Sequence, residues 1–178
     1  MLLQTHPRCA SPFLSPNLPP VRQPPSPADQ IEGDITKTRS AYRVLLAEDN
    51  DADIMVMEEI LGQQNAAFDI VVANDGQQAI QLLRQLDENH QLPGFDIALI
   101  DLNLPKRTGH EVLATLRNTT RCRHIPAIIV TSSRAVSDIT RARELGATEY
   151  FEKLPDLEAY SVLGALVMKT LQREPAAS

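Results

Sequence analysis

Cysteine is nearly absent: among 178 residues only Cys9 and Cys122 occur, far apart, with no metal-ligand spacing and no histidine at a common offset. Neither a disulfide framework nor a zinc site is suggested, and two free thiols fit a reducing compartment. Long apolar runs are absent too. Met1-Leu2-Leu3 passes at once into Gln4, Thr5, His6 and Pro7, too polar for the core of a signal peptide. No stretch approaches the roughly 20 apolar residues that cross a bilayer. A cytoplasmic protein without membrane contact is expected. Positive charge is also scarce. The net charge is −6, with four Lys/Arg against three Asp/Glu in residues 1–40 and thirteen against twenty in residues 41–178. The acidic portion offers little to a phosphate backbone, so direct DNA binding is not expected. No internal repeat occurs.

Proline is abundant but uneven. Eight of the 13 prolines lie in residues 1–40, including Pro19-Pro20 and Pro24-Pro25, interleaved with Ser, Gln and Asn. Such a segment cannot bury enough apolar surface to offset its ordering entropy. A disordered, Pro-rich tail over residues 1–40 is expected, dispensable for folding and without a clean docking motif. Residues 41–174 are long enough for one domain with a full core.

Within that domain, short apolar runs alternate with helical periodicity. Arg43-Val44-Leu45-Leu46-Ala47 reads as a buried strand closing on Glu48-Asp49. Asn50 to Asp53 supply capping side chains for a helix with Ile54, Met57 and Leu61 on one face, which Gly62 is expected to stop. Asp69 to Ala73 is a second strand, and Asn74-Asp75-Gly76 a turn that caps a helix carrying Ala79, Ile80, Leu82, Leu83 and Leu86. The central strand is Phe95-Asp96-Ile97-Ala98-Leu99-Ile100, an apolar run that ends abruptly at Asp101. Pro105 cannot continue a ladder, so Asp101 is delivered to a mouth. Thr108 and Glu111 have the spacing of a capping box for a helix through Val112, Leu113 and Leu116. Ile125 to Val130 is a fourth strand, with Pro126 tolerable only at its start, and it ends in Thr131-Ser132-Ser133. Ser137 or Asp138 opens a helix that Gly146 closes. Thr148 to Glu152 is a fifth strand ending at Lys153, and Asp156 begins a last helix with Leu157, Tyr160, Leu163, Val167 and Leu171 on one face.

Strands alternating with helices in this way imply a doubly wound α/β sandwich with a parallel sheet. Right-handed crossovers send every strand's carboxyl end to one edge, where ligands bind in such sheets. Glu48, Asp49, Asp101, Thr131 and Lys153 therefore meet there. Three neighbouring carboxylates repel one another unless a cation neutralises them. An all-oxygen set of this kind suits Mg²⁺ or Mn²⁺. An ionised Asp101 beside such a metal is a nucleophile for phosphorus, and the acyl phosphate formed would need donors such as the Thr131 hydroxyl and the Lys153 ammonium.

On these residues the chain, from 42 to about 172, resembles the receiver domains of two-component response regulators. Thirty residues separate Asp101 from Thr131 and twenty-two separate Thr131 from Lys153, as in that family. The resemblance implies a flavodoxin-like sheet of order 2-1-3-4-5 with five helices. It implies Asp101 as phosphoacceptor, Asp49 as a direct metal ligand, Glu48 as the acid holding the metal's water, and Asn103 giving its backbone carbonyl to the metal. It also implies that Thr131 and Lys153 contact the phosphoryl group, that Thr131 and Tyr150 form the switch, and that Asn103 and Ser133 flank the water path that sets the lifetime of the phosphorylated state. Self-phosphorylation and autodephosphorylation would be its only chemistry. More narrowly, Asp101-Leu102-Asn103-Leu104-Pro105-Lys106 and Gly109-His110-Glu111-Val112-Leu113 are similar to single-domain response regulators paired with bacterial phytochromes. That implies a sensor histidine kinase of phytochrome type as donor, a downstream protein partner, and self-association as a homodimer among the outputs. The sequence ends at Ser178, a few residues past the last helix, and a protein contact is the expected output.

Two features depart from the family. Lys153 is followed by Leu154 and only then by Pro155, so the family's usual Lys-Pro peptide is missing, and the Pro-rich tail is not a general family feature. Two other readings compete. Phosphatases of the haloacid dehalogenase type also use a strand-end Asp, but need a second Asp two residues on as general acid, where this chain has Asn103. A receiver-like module that binds partners without phosphorylation typically lacks one of the acidic, Thr or Lys positions, and all are present here. His90, His110 and His124 read as surface side chains, and Glu58-Glu59 as a solvated helix face.

Overall fold

The computed structural model describes residues 41–153 and 157–172, with side chains from Tyr160 onward in the second stretch. Among these, five strands alternate with five helices: β1 (Tyr42–Ala47), α1 (Asp51–Gly62), β2 (Phe68–Ala73), α2 (Gly76–Glu88), β3 (Ile97–Ile100), α3 (Gly109–Asn118), β4 (Ala127–Thr131), α4 (Val136–Glu144), β5 (Glu149–Glu152) and α5 (Leu157–Leu171). The strands are all parallel, in the order β2-β1-β3-β4-β5, as expected. The Pro-rich segment 1–40, the Leu154-Pro155-Asp156 passage and residues 173–174 lie outside the described residues.

The side-chain alternation of each strand sorts the core into two layers. Val44, Leu46, Ile97, Leu99, Ile128, Val130 and Phe151 face α1 and α5, meeting Met57, Leu61, Leu163 and Val167. Leu45, Ala47, Ala98, Ile100, Ala127 and Ile129 face the other side, where α2 and α3 contribute Leu83, Leu86, Val112 and Leu116. Both faces are covered, which is why β3 is apolar throughout and every one of its residues is buried. Each fully buried Leu or Ile in these layers contributes about 1.5–3 kcal/mol relative to an exposed one. No helix among the described residues is long and apolar enough to cross a membrane.

Local chemistry decides the ends of the elements. Thr108 and Glu111 form the expected capping box at the start of α3. Asn50 caps α1 by accepting from Ala52 N and Asp53 N, and Asp75 caps α2 by accepting from Gln78 N. Gly146, at φ +87°, ends α4 with the Gly146 N–H on Arg143 O and the Ala147 N–H on Ala142 O, the paired bonds of a Schellman motif. Elsewhere the structure differs from the expectation. Helix α1 ends at Gly62, as expected, but without a left-handed glycine: Gly62 is its last helical residue and Gln63 in αR geometry is the cap. The third strand begins at Ile97 and not Phe95, because the Asp96 carboxylate takes the backbone N–H of Arg43 (2.8 Å) that a ladder carbonyl would otherwise receive. The fourth begins after Pro126, which has no N–H to donate. Helix α4 starts at Val136 without a side-chain cap, since Asp138 is engaged by the Ser133 hydroxyl at 2.5 Å. His110 is not a surface residue: it is 8% exposed, with Nε2 3.3 Å from the carbonyl of Asp138 on α4.

Candidate functional site: a strand-end cleft of acids around one lysine

Register builds the site. Ala47 pairs with Ile100, so Glu48 and Asp101, the next residues of β1 and β3, leave the sheet side by side. The Asp101 N–H still donates to Ala47 O at 2.9 Å, which fixes Asp101 relative to β1. Asp101 Oδ1 accepts from Asn103 N at 3.0 Å, and Leu102 O accepts from Gly109 N at 3.0 Å, folding the β3–α3 loop back over the strand end. That loop is held from outside as well. Lys106, at φ +64°, reaches the buried Asp75 carboxylate (2.5 Å), and Pro105 O accepts from Gly76 N. The Lys106 bond, with help from the Gln78 N–H, holds the Asp75 carboxyl below the usual carboxylate range.

Lys153 follows β5, and its N–H donates to Thr131 O at 2.9 Å, which turns its side chain toward the acids. Its ammonium meets Glu48 Oε2 at 2.6 Å, Asp101 Oδ2 at 2.7 Å and Asp53 Oδ2 at 2.9 Å, in a place where the lysine side chain is 8% exposed. Burial alone would lower the lysine pKa. The bonds to Asp101, Glu48 and Asp53 outweigh it and raise the pKa above the ordinary lysine value. For Glu48, burial is the stronger influence and pushes the carboxyl up, against the opposing pull of Lys153.

Asp49 is exposed and lines a cleft of about 420 Å³ together with Glu48, Asp53, Asp101, Asn103 and Lys153. Thr131, fully buried at the end of β4, accepts from Ser133 N on Oγ1 at 3.3 Å. The structure thus brings Glu48, Asp49, Asp101, Asn103 and Lys153 to one cleft, with Thr131 closing the neighbouring strand. Among the described residues no three acidic, histidine or cysteine side chains form a ready-made metal centre; the cation at the heart of the acids is the Lys153 ammonium.

Three features are additional to the residues predicted from sequence, or differ from them. Asp53, read from sequence as a helix-capping residue, is a third partner of Lys153. Tyr160 of α5 lines the same cleft. Ser133 was expected beside the water path, but Ser132 lines the cleft instead, while the Ser133 hydroxyl donates to Asp138 and its carbonyl accepts from Tyr150 OH at 2.8 Å. A short side chain two residues beyond a strand end satisfies the loop more readily than it reaches a cleft. Half-buried Tyr150 is therefore tied to the β4–α4 loop, and burial pushes its hydroxyl pKa up. Tyr150→Phe is expected to cost about 1 kcal/mol, the net worth of one hydrogen bond, in urea denaturation. A change indistinguishable from zero would show that the bond does not hold the loop.

The comparisons agree with this geometry. The response regulator receiver domain family matches residues 44–160. Response regulator Rcp1 of Synechocystis sp. is 32% identical over 115 residues, covering 65% of this chain and 78% of that protein. The crystal structure of the phosphorylated cyanobacterial phytochrome response regulator RcpA superposes with a TM-score of 0.69 at 29% identity, covering 77% of this chain and 99% of the other. The Mn²⁺-bound form of Rcp1 superposes with a TM-score of 0.67 at 28% identity, covering 76% and 99%. With most of its folded part matched and a relative covered over three quarters of its length, the chain belongs to the response regulator receiver domain family.

Proposed function

We propose that Asp101 accepts a phosphoryl group, in the cytoplasm, from the phosphohistidine of a sensor histidine kinase, and that the phosphorylated protein signals by contact with another protein. The observation that carries this reading is the Asp101 carboxylate at the end of the central strand, 2.7 Å from a buried ammonium. A carboxylate oxygen attacks phosphorus, the P–N bond of the donor breaks, and the departing imidazole takes a proton. The acyl phosphate carries one more negative charge than the carboxylate it replaces. Lys153 already stands beside that oxygen, and Thr131 ends the adjacent strand as a further donor.

The donor set also fits a divalent cation. When all are ionised, Glu48, Asp49, Asp53 and Asp101 place four negative charges around the single positive charge of Lys153. Glu48, Asp49, Asp101 and the backbone carbonyl of Asn103 would hold Mg²⁺ or Mn²⁺, which keep several waters and take few protein ligands. Bound there, the metal would offset charge on the phosphoryl oxygens. The Mn²⁺-bound form of Rcp1 supports this choice of ion. The similarity to Rcp1 and to RcpA, a phytochrome response regulator, favours a phytochrome-type kinase as donor.

The switch in this reading is Thr131 with Tyr150. A phosphoryl group that draws Thr131 pulls on the Ser133 N–H bonded to it, and Ser133 also holds the Tyr150 hydroxyl, so the surface of α4, β5 and α5 responds, where a partner or a second copy docks. Incubation with acetyl phosphate and Mg²⁺ is expected to add one phosphoryl group per chain, with none added to Asp101→Asn or in excess chelator. Full labelling of Asp101→Asn would overturn the assignment.

A further inference from the structure

We propose that Asp53 is a positioning residue: with Glu48 it anchors the Lys153 ammonium at two points, and so aims the third N–H at the acceptor oxygen of Asp101. A lysine ammonium has three donors and no acceptor. Here three carboxylates from three elements take them, Glu48 after β1 at 2.6 Å, Asp53 in the first turn of α1 at 2.9 Å, and Asp101 after β3 at 2.7 Å. One anchor would leave the flexible lysine stem free to swing Nζ around that single contact. Two anchors on two elements fix where Nζ sits, and with it the line from the remaining N–H to Asp101.

The placement of Asp53 follows from the Asn50 cap. Asn50 Oδ1 accepts from Ala52 N at 2.9 Å and from Asp53 N at 3.4 Å, which fixes the first turn with the Asp53 side chain over the cleft. The Asp53 side chain is 26% exposed, so this carboxylate is partly withdrawn from water on the wall of the cleft that Tyr160 also lines. Asp51 supplies a control within the same turn. It is acidic and exposed, it gains from the helix dipole as Asp53 does, and Lys153 is not among its partners. The part of the inference that concerns phosphorylation rests on the function proposed above; the anchoring of Lys153 does not.

The test begins on the unphosphorylated full chain, by ¹⁵N-edited NMR of lysine ζ-ammonium groups near neutral pH. Three engaged donors in a buried place slow exchange with water, so a sharp Lys153 resonance is expected from the wild-type protein and from Asp51→Asn. In Asp53→Ala it should broaden beyond detection, and Asp53→Asn, which keeps an acceptor oxygen and preserves folding should the alanine variant unfold, should retain a weakened signal. With acetyl phosphate and Mg²⁺, Asp53→Ala is expected to lose about tenfold in maximal phosphorylation rate, a misalignment effect, with the half-saturating donor concentration unchanged. An unchanged Lys153 resonance and an unchanged rate in Asp53→Ala would overturn the proposal, as would an equal loss in Asp51→Asn. A wild-type protein that shows the resonance but takes up no phosphoryl group would overturn the proposed function and leave the anchoring supported.

Discussion

Lys153→Met is expected to be about 3–5 kcal/mol less stable than the wild type at pH 8, because it strips the counter-ion from buried carboxylates. Glu48 is 1% exposed and Asp101 6%, and each lies within 2.7 Å of the ammonium that the variant lacks. The pH dependence has a definite sign. In the wild type, the lysine pKa is raised in the folded state, so the stability it contributes is fully present below the ordinary value of 10.5 and is lost only as pH rises through the higher folded value. In the variant, the carboxyl of Glu48, pushed up by burial, has lost the partner that opposed the shift. A carboxyl with a raised folded pKa stabilises the fold while protonated and stops doing so as pH rises through that value. The deficit of Lys153→Met should therefore shrink from pH 8 toward pH 5 and be reduced at either pH by millimolar Mg²⁺, which replaces the missing positive charge. Urea denaturation at the two pH values measures this. A variant within about 1 kcal/mol of wild type at pH 8 would mean that water, not Lys153, solvates the acids.

Gly109→Ala is the second substitution with a large expected effect. A Cβ at Gly109 would lie 2.0 Å from the carbonyl oxygen of Asp101 and 2.8 Å from Leu102 Cα, both backbone atoms that no rotamer change can move aside. The β3–α3 loop would have to lift, breaking the Gly109 N–H bond to Leu102 O and turning the Asp101 carboxylate away from Lys153. The stability loss should reach or exceed the upper end of the about 1–3 kcal/mol typical of overpacking. Phosphorylation by acetyl phosphate should fall with it even below the melting temperature. Gly62→Ala is the comparison, since a Cβ there meets nothing within 4 Å. It is the last residue of α1, at a helical backbone position that alanine accepts, so this variant should be as stable as wild type or more so. Equal stability of the two glycine variants would contradict the close approach at Asp101.

What could be read from sequence was what local rules govern. The Thr108–Glu111 box, the Asn50 and Asp75 caps and the buried run ending at Asp101 each depend on residues a few positions apart, and each is present in the structure. The order of the strands followed from resemblance, since alternation shows a parallel sheet but not which strands are neighbours. Asp53 was legible only as a capping residue because its partner is 100 positions away, and only the successive registers of β1 with β3, β3 with β4 and β4 with β5 bring Lys153 over α1. His110 misled for a related reason. A histidine at a helix start reads as polar surface, yet α4 packs over it and offers the Asp138 carbonyl. The end of α1 lies at Gly62, where it was read, but the helix closes on Gln63 in αR geometry and uses no positive-φ residue there.

If Asp101 is the residue that receives the phosphoryl group, the site of modification itself shows it. Protein treated with acetyl phosphate and Mg²⁺ is reduced with borohydride, which converts an aspartyl phosphate to homoserine, then digested and sequenced by mass spectrometry. Homoserine is expected at position 101 in the treated protein alone, and none without Mg²⁺. Homoserine at Asp49, Asp53 or another acid, with position 101 unmodified at full phosphoryl uptake, would contradict that assignment.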